Sequence, residues 1–283
     1  MPIDERARSG LARAVLLLAL LLAGCASSPR PPPEPALRKQ AMEAEADGVR
    51  HYSRGDYNGA IRRFSEARRL QQSLDDATAA ARNQLNQAHA ELALGQPRAA
   101  LNHAGEAGEG TLQAQALLIQ AQAHLALGQL GAARDSLARL EKICSGNCPQ
   151  RGSMLVLRAR VALAEGNGAQ TLADAQAALP ILKEQQEERE TANAWRLIGA
   201  ARLALGEFPA ALTAAQTALE IDRQLALPEK IARDWILLGD IQRRAGHEND
   251  ARAAYQRAQS VARAAGLDDL IKLATDAITE KAQ

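Results

Sequence analysis

Residues 195–219 read WRLIGAARLALGEFPAALTAAQTAL. An apolar stripe at helical spacing runs from Trp195 to Leu205, Gly206 interrupts it, and a second stripe runs from Phe208 to Leu219. Glycine reaches positive φ without a Cβ clash and can end one helix at a tight turn. The alanines that follow, Ala211 and Ala218, are small enough to let two antiparallel helices approach closely. Working outward, the pattern returns in GDYNGAIRRFSEA from Gly55 and GHENDARAAYQRA from Gly246. Glycines hold the equivalent place at Gly55, Gly95, Gly128, Gly166, Gly206 and Gly246, spaced 40, 33, 38, 40 and 40 residues apart. Alanine follows five residues later at Ala60, Ala100, Ala133, Ala211 and Ala251. A small residue precedes by seven at Gly48, Ala88, Ala121, Ala159, Gly199 and Gly239. The fourth unit departs from the pattern, with Gly168 and Thr171 where an aromatic residue and an alanine are expected. A helix hairpin of this kind cannot bury its apolar face alone and must stack on neighbours. Alanine, leucine, glutamine and arginine dominate the body and all favour helix. Period-two alternation is absent, so no sheet is predicted.

The stretches Trp195–Leu219 and Trp235–Ala258 resemble the tetratricopeptide repeat (TPR) most clearly. The resemblance implies an all-α solenoid of about six helical hairpins over residues 41–265. The period near 40 exceeds the usual 34 and is similar to the long-helix variety of the kinesin light chain class. After Gly266 the chain reads LDDLIKLATDAITEKAQ, in which Asp268 can cap a helix whose apolar stripe is Leu270, Leu273, Ala274, Ala277 and Ile278. Residues 266–283 are therefore predicted to form a capping helix, which a terminal repeat requires.

In TPR proteins the first helix of each hairpin lines a groove, at positions about thirteen, ten, six and three before the turn glycine. Carried onto this sequence, the polar members are Arg82, His89, Gln115, Gln122, Ser153, Arg160, Asn193, Arg196, Arg233, Asp240 and Arg243. The predicted partner-binding set is His89, Gln122, Arg160, Asn193, Arg196, Arg233, Asp240 and Arg243. Leu85, Leu92, Leu125, Val156, Leu163, Leu203 and Ile236 give the same face apolar spots. Arginine offers planar, multi-donor contacts to carboxylates, so the C-terminal half is predicted to grip an acidic or carboxy-terminal peptide. The charge layout does not reproduce the lysine–asparagine carboxylate clamp of chaperone-binding TPR domains.

The first residues carry a second signal. Arg6, Arg8 and Arg13 precede the apolar run AVLLLALLL, which ends in Leu22-Ala23-Gly24-Cys25. A basic start, a short apolar core and small residues at a cut site read as a secretory signal peptide. The apolar run is too short for a membrane span, which needs about 20 residues. Leu22–Cys25 resembles the lipobox of bacterial lipoproteins. The resemblance implies removal of residues 1–24 and acylation of Cys25. Ala26, in place of an aspartate, favours the outer membrane, on the periplasmic side. Residues 25–40 are read as a lipidated tether; SSPRPPPEPA favours extended polyproline II. The expected membrane partner is reached through this lipid anchor. Without residues 1–24 the Lys+Arg and Asp+Glu counts are equal, which argues against a nucleic-acid partner and gives no overall polybasic excess.

Cys144 and Cys148, in ICSGNCP, remain after Cys25. In an oxidising compartment they are read as a disulfide between units three and four. A redox pair would more usually be Cys-x-x-Cys, and a zinc site lacks nearby histidines. No HExxH, GxSxG or phosphate loop occurs. Hence no catalytic residue, metal site or cofactor is predicted. The acidic run Glu184, Glu187, Glu188 and Glu190 reads as a solvated face. The expected function is a lipid-anchored scaffold that binds an envelope protein or peptide. By analogy alone, it would serve type IV pilus, secretin or outer-membrane assembly. The alternative is a groove that binds a small molecule or regulates a cell-wall enzyme.

Overall fold

The computed structural model describes residues 35–107, 110–144 and 148–279; the predicted leader and Cys25 lie outside this range. The described residues form thirteen α-helices, a single 3-10 turn at Gly110–Leu112, and no strand. Six antiparallel pairs follow in order: α1 (Ala36–Ser53) with α2 (Tyr57–Ser73), α3 (Ala77–Ala93) with α4 (Pro97–Ala107), α5 (Gln113–Ala126) with α6 (Leu130–Ile143), α7 (Arg151–Ala164) with α8 (Gly168–Glu184), α9 (Glu188–Ala204) with α10 (Phe208–Gln224), and α11 (Pro228–Arg244) with α12 (Glu248–Ala264). A last helix, α13 (Asp268–Thr279), packs on α12 and α11 through buried Leu270 and Ala274 and caps the array.

The 40-residue period has a simple origin. Helices α8 to α12 are each 17 residues long and alternate with three-residue turns. Units two and three are shorter because α4 has 11 residues and α5 and α6 have 14 each. All six turn glycines adopt left-handed φ, between 71° and 84°. Three of the turns that follow a pair use the same geometry at Asp75, Gln186 and Ala226, where no glycine marks them, whereas Gly266 takes it before the last helix. The tether assignment needs one correction. Helix α1 begins at Ala36, inside the 25–40 segment, because Pro35 is tolerated as the residue that opens a helix and Ala36, Leu37, Arg38 and Lys39 are strong helix formers.

Consecutive helices pack against each other, and first helices also touch the first helix of the next pair. The odd-numbered helices thus form an inner layer and the even-numbered ones an outer layer. The recurring alanines Ala60, Ala100, Ala133, Ala211 and Ala251 are all buried between the two helices of a pair. Two of the small residues seven before the turn serve a specific purpose. A Cβ on Gly48 would lie 2.6 Å from the Phe64 ring, and one on Gly239 would lie 2.4 Å from the Tyr255 ring. In both units, glycine on the first helix leaves space for an aromatic ring on the second.

Polar clasps tie most neighbouring pairs together. Arg82 makes a two-pronged bond to Glu45, with Nε and Nη2 at 3.0 and 2.9 Å, joining α3 to α1. Arg158 on α7 grips Asp174 on α8 at 3.0 and 2.6 Å and reaches Glu141 on α6 at 3.1 Å. Cys144 and Cys148 are joined as a disulfide with Cα atoms 5.1 Å apart. Cys144 sits in the core beside Leu140, Met154 and Leu157, so the bridge fastens the α6–α7 connection to the packed interior.

Candidate functional site

The inner layer places the first-helix residues around one lumen, and their environments divide them into two groups. Arg196 is half-buried. Its Nε donates to Asp234 Oδ1 at 2.6 Å, its Nη2 donates to Asp222, and its Nη1 donates to Asn193 Oδ1 at 2.7 Å. Arg243 donates to the Ala277 carbonyl on α13 and lies over the Tyr255 ring, 4.6 Å from its centroid. Asp240 accepts from the Tyr255 hydroxyl at 2.8 Å. Asn193 also donates to Glu190 at 3.3 Å. Arg196, Arg243, Asp240 and Asn193 therefore hold the array together, as does Arg82. The sequence put these residues on the inner face, but their partners Glu45, Asp222, Asp234, Tyr255 and the Ala277 carbonyl lie on other helices, which spacing along one helix does not reveal.

Arg160 and Arg233 are different. Arg160 is exposed to the lumen and has no hydrogen bond or ion pair among the described residues, and Arg233 has only Glu229, four residues away on its own helix, at 2.9 Å. Lys230, which the sequence reading missed, joins them. Desolvation lowers its pKa, and Arg196, Arg233 and Arg160 add repulsion that Glu229 partly offsets. Arg160 is held below the ordinary arginine value for the same reasons: desolvation first, then Arg233 and Arg196, opposed by Glu190. These cations sit on α7 and α11 yet feel each other's charge. Glu190, read from sequence as solvated, faces them. Burial raises the pKa of Glu229, but Lys230, Arg233 and Arg196 outweigh it and the net shift is downward.

The N-terminal part of the inner layer carries apolar surface. Met42 and Val49 on α1 are 52% and 54% exposed, the highest among the large apolar side chains described. Val49, Tyr52, Phe64, Asn86 and His89 line a cleft of about 280 Å³ between α1, α2 and α3. Burial keeps the His89 imidazole below its ordinary pKa and therefore neutral near pH 7. Gln122, on α5, is half-buried. The Tyr52 hydroxyl, raised chiefly by burial and then by Tyr57, also senses Arg189 and Glu190 at the start of α9. Tyr52 in the first pair and the start of the fifth therefore lie within electrostatic reach of each other.

A larger cleft, about 670 Å³, opens between the ends of outer helices α8 and α10 over Trp195, with Leu179, Pro180 and Ile221 on its walls. Among the described residues, no group of three or more His, Cys, Asp or Glu could hold a metal ion. No described helix is long and apolar enough to cross a membrane.

Residues 190–264 match the family profile of the tetratricopeptide repeat. The fold is a tetratricopeptide-repeat solenoid. The same superposition is found with a Rap protein complexed with competence and sporulation factor, at 15% identity and a TM-score of 0.66, covering 85% of this chain and 70% of that one. A chain of the APC/C hetero-tetramer Cut9–Hcn1 superposes at 18% identity and 0.68, over 84% of this chain and 43% of that one. BtubC from P. vanneervenii does so at 17% and 0.53, over 82% and 93%. At these identities the likeness concerns the fold alone. No curated protein matches the sequence. Of this TPR array, the profile covers units five and six, the two whose motifs are fullest in the sequence.

Proposed function

We propose that this TPR protein is an exported, lipid-anchored scaffold that holds a segment of a partner protein in its lumen, beside the membrane, during envelope assembly. The observation that carries the reading is the composition of the inner face. Arg160, Lys230 and Arg233 have charge to offer, and Met42 and Val49 have apolar surface to offer, on first helices of the same array. Cations that repel one another across a shared space gain from an anionic occupant. The superposed Rap protein in complex with a factor is consistent with an occupied lumen. Anchoring is supported by Leu22-Ala23-Gly24-Cys25 after an apolar run, and two acyl chains or more give stable attachment. The Cys144–Cys148 disulfide suits an oxidising compartment.

The second reading, a small-molecule binder, is favoured by the cleft over Trp195, whose volume lies in the range of ligand pockets. One experiment separates the two. A photoreactive residue is placed at Gln122 in the lumen or at Thr213 beside the outer cleft, and crosslinks are formed in intact cells. Protein adducts from position 122 but not 213 are expected; adducts from 213 alone would overturn the lumen as the binding face. Labelled palmitate should enter the wild type and not Cys25→Ser; equal incorporation would remove the anchor.

A further inference from the structure

We propose that the cleft over Trp195 is a site for a small organic cation, an ammonium or guanidinium group carried on an apolar body. The cleft opens between outer helices, so the site goes beyond the lumen and names the ligand class for the small-molecule reading of that cleft.

Helices α9 and α10 recur forty residues later as α11 and α12, each 17 residues long, and Trp195 and Trp235 are each the eighth residue of their helix. Trp235 is covered by a guanidinium from each neighbouring outer helix. Arg223 on α10 lies 5.4 Å from its ring centroid and Arg257 on α12 lies 4.7 Å from it. Forty residues earlier, the corresponding positions are Lys183 on α8 and Thr217 on α10. Among the described residues no cation lies over the Trp195 ring. That ring lines the cleft of about 670 Å³, which continues past Trp195 and Leu179 into a second cleft of about 310 Å³. The negative face of an indole attracts any cation set over it, whether a side chain or a ligand. Trp235 has its cations built in, and at Trp195 the same place is open.

The surroundings favour the same charge. Glu188, Thr191, Trp195 and Ile198 fall at i, i+3, i+7 and i+10 on α9, share one face and line the two clefts. Glu187 and Glu188 are exposed at one end, with no ion pair among the described residues, beside a single lining cation, Lys183. The whole turn from 183 to 190 remains acidic, with Lys183 and Arg189 against Glu184, Glu187, Glu188 and Glu190. At the other end Arg202 is held by Glu207 at 2.6 Å. Leu179, Pro180 and Ile221 offer hydrocarbon walls to the rest of the ligand. An extended peptide would leave its amides unpaired against them, whereas the volume suits a small molecule.

The test titrates the mature protein in detergent, with detergent alone as blank, using hexyltrimethylammonium and hexylguanidinium as probes. Hexanol and hexanoate are the neutral and anionic counterparts. In Trp235→Phe, Trp195 is the sole tryptophan, and its emission should respond to both cations at concentrations at least about tenfold lower than to hexanol or hexanoate. Calorimetry on the wild type should give the same order. Thr217→Arg restores the counterpart of Arg257 and should fill the site from within, weakening cation binding at least about tenfold with a thermal midpoint at or above wild type. Glu187→Gln/Glu188→Gln should weaken both cations and leave hexanol unchanged, and Lys183→Gln should bind them as well or better. Hexanol or hexanoate binding as tightly as the cations, or undiminished binding in Thr217→Arg, would overturn the proposal. Protein adducts from a photoreactive residue at 213 would overturn it in favour of a partner's side chain, whereas the adducts from position 122 bear on the lumen alone.

Discussion

Gly239 shows how one hydrogen atom decides a contact. Its missing side chain admits the ring of Tyr255, which is fully buried. Gly239→Ala should destabilise the protein by about 1–3 kcal/mol, the usual range for overpacking a tight site, read as a lower midpoint in a denaturant melt. Ala226 presents the opposite case. It sits at φ 51°, where a Cβ is unfavourable. Ala226→Gly should therefore raise stability by up to about 1 kcal/mol, although glycine substitutions normally weaken a fold; a lower midpoint would contradict the strain assigned to this turn. The two turn classes also explain what the sequence could tell. Turns within pairs were legible because glycine fills every one of them. Three turns between pairs were not, since Asp75, Gln186 and Ala226 adopt the same geometry with ordinary side chains, imposed by packing on both sides.

At the scale of helices, the trio of half-buried Arg196 and buried Asp222 and Asp234 joins α9, α10 and α11. One guanidinium faces two carboxyls that are 1% and 0% exposed, and Asp234 Oδ2 is buried with no hydrogen-bond partner. Burial, with Asp222 adding repulsion against the pull of Arg196, raises the Asp234 pKa to about 7. In the unfolded chain an aspartate loses its proton near pH 4. Between these values the folded state binds more protons than the unfolded one, so this group's contribution to stability falls as pH rises from about 4 to about 7. Asp234→Asn removes that titration. The variant's melting temperature should improve relative to wild type by a few degrees between pH 5 and pH 8, and a constant difference across that range would exclude the assignment. Truncating the other partner acts differently: Arg196→Ala leaves two buried carboxyls uncompensated and should cost about 3–5 kcal/mol, measured by the same melts. Much of the candidate site was hidden from the sequence for this reason. Helical spacing put Arg160, Arg196, Arg233 and Arg243 on one face, but Asp222 on a different helix and the Ala277 carbonyl on α13 decided that two of them were occupied. Lys230 went unseen because it lies sixteen residues before its turn glycine, outside the four positions taken from the repeat pattern.

For the molecule as a whole, the fold was legible because it is written six times, and even the degenerate fourth unit keeps its turn glycine and a buried Thr171 in place of alanine. The joints between units are not equivalent. Side-chain hydrogen bonds cross from unit one to two (Arg82–Glu45), two to three (Gln120 to the Ala104 carbonyl, 3.2 Å), three to four (Arg158–Glu141), five to six (Arg196–Asp234) and six to the cap (Arg243–Ala277). Among the described residues none crosses from unit four to unit five, where apolar contacts of Leu155, Val156, Ala178, Leu182, Leu197 and Ile198 do the joining and the cleft over Trp195 runs alongside. Apolar contact is non-directional, but it is extensive here: α9 packs closely on both α8 and α7, so close packing holds this joint where polar clasps hold the others. Arg160 lies on one side of the joint while Lys230 and Arg233 lie on the other, so the joint sets their separation. An occupant that bridges them acts as a strut. Amide hydrogen exchange at the end of α8 and the start of α9 should slow when a partner segment is bound across the joint, and an unchanged rate there would mean that the load passes elsewhere.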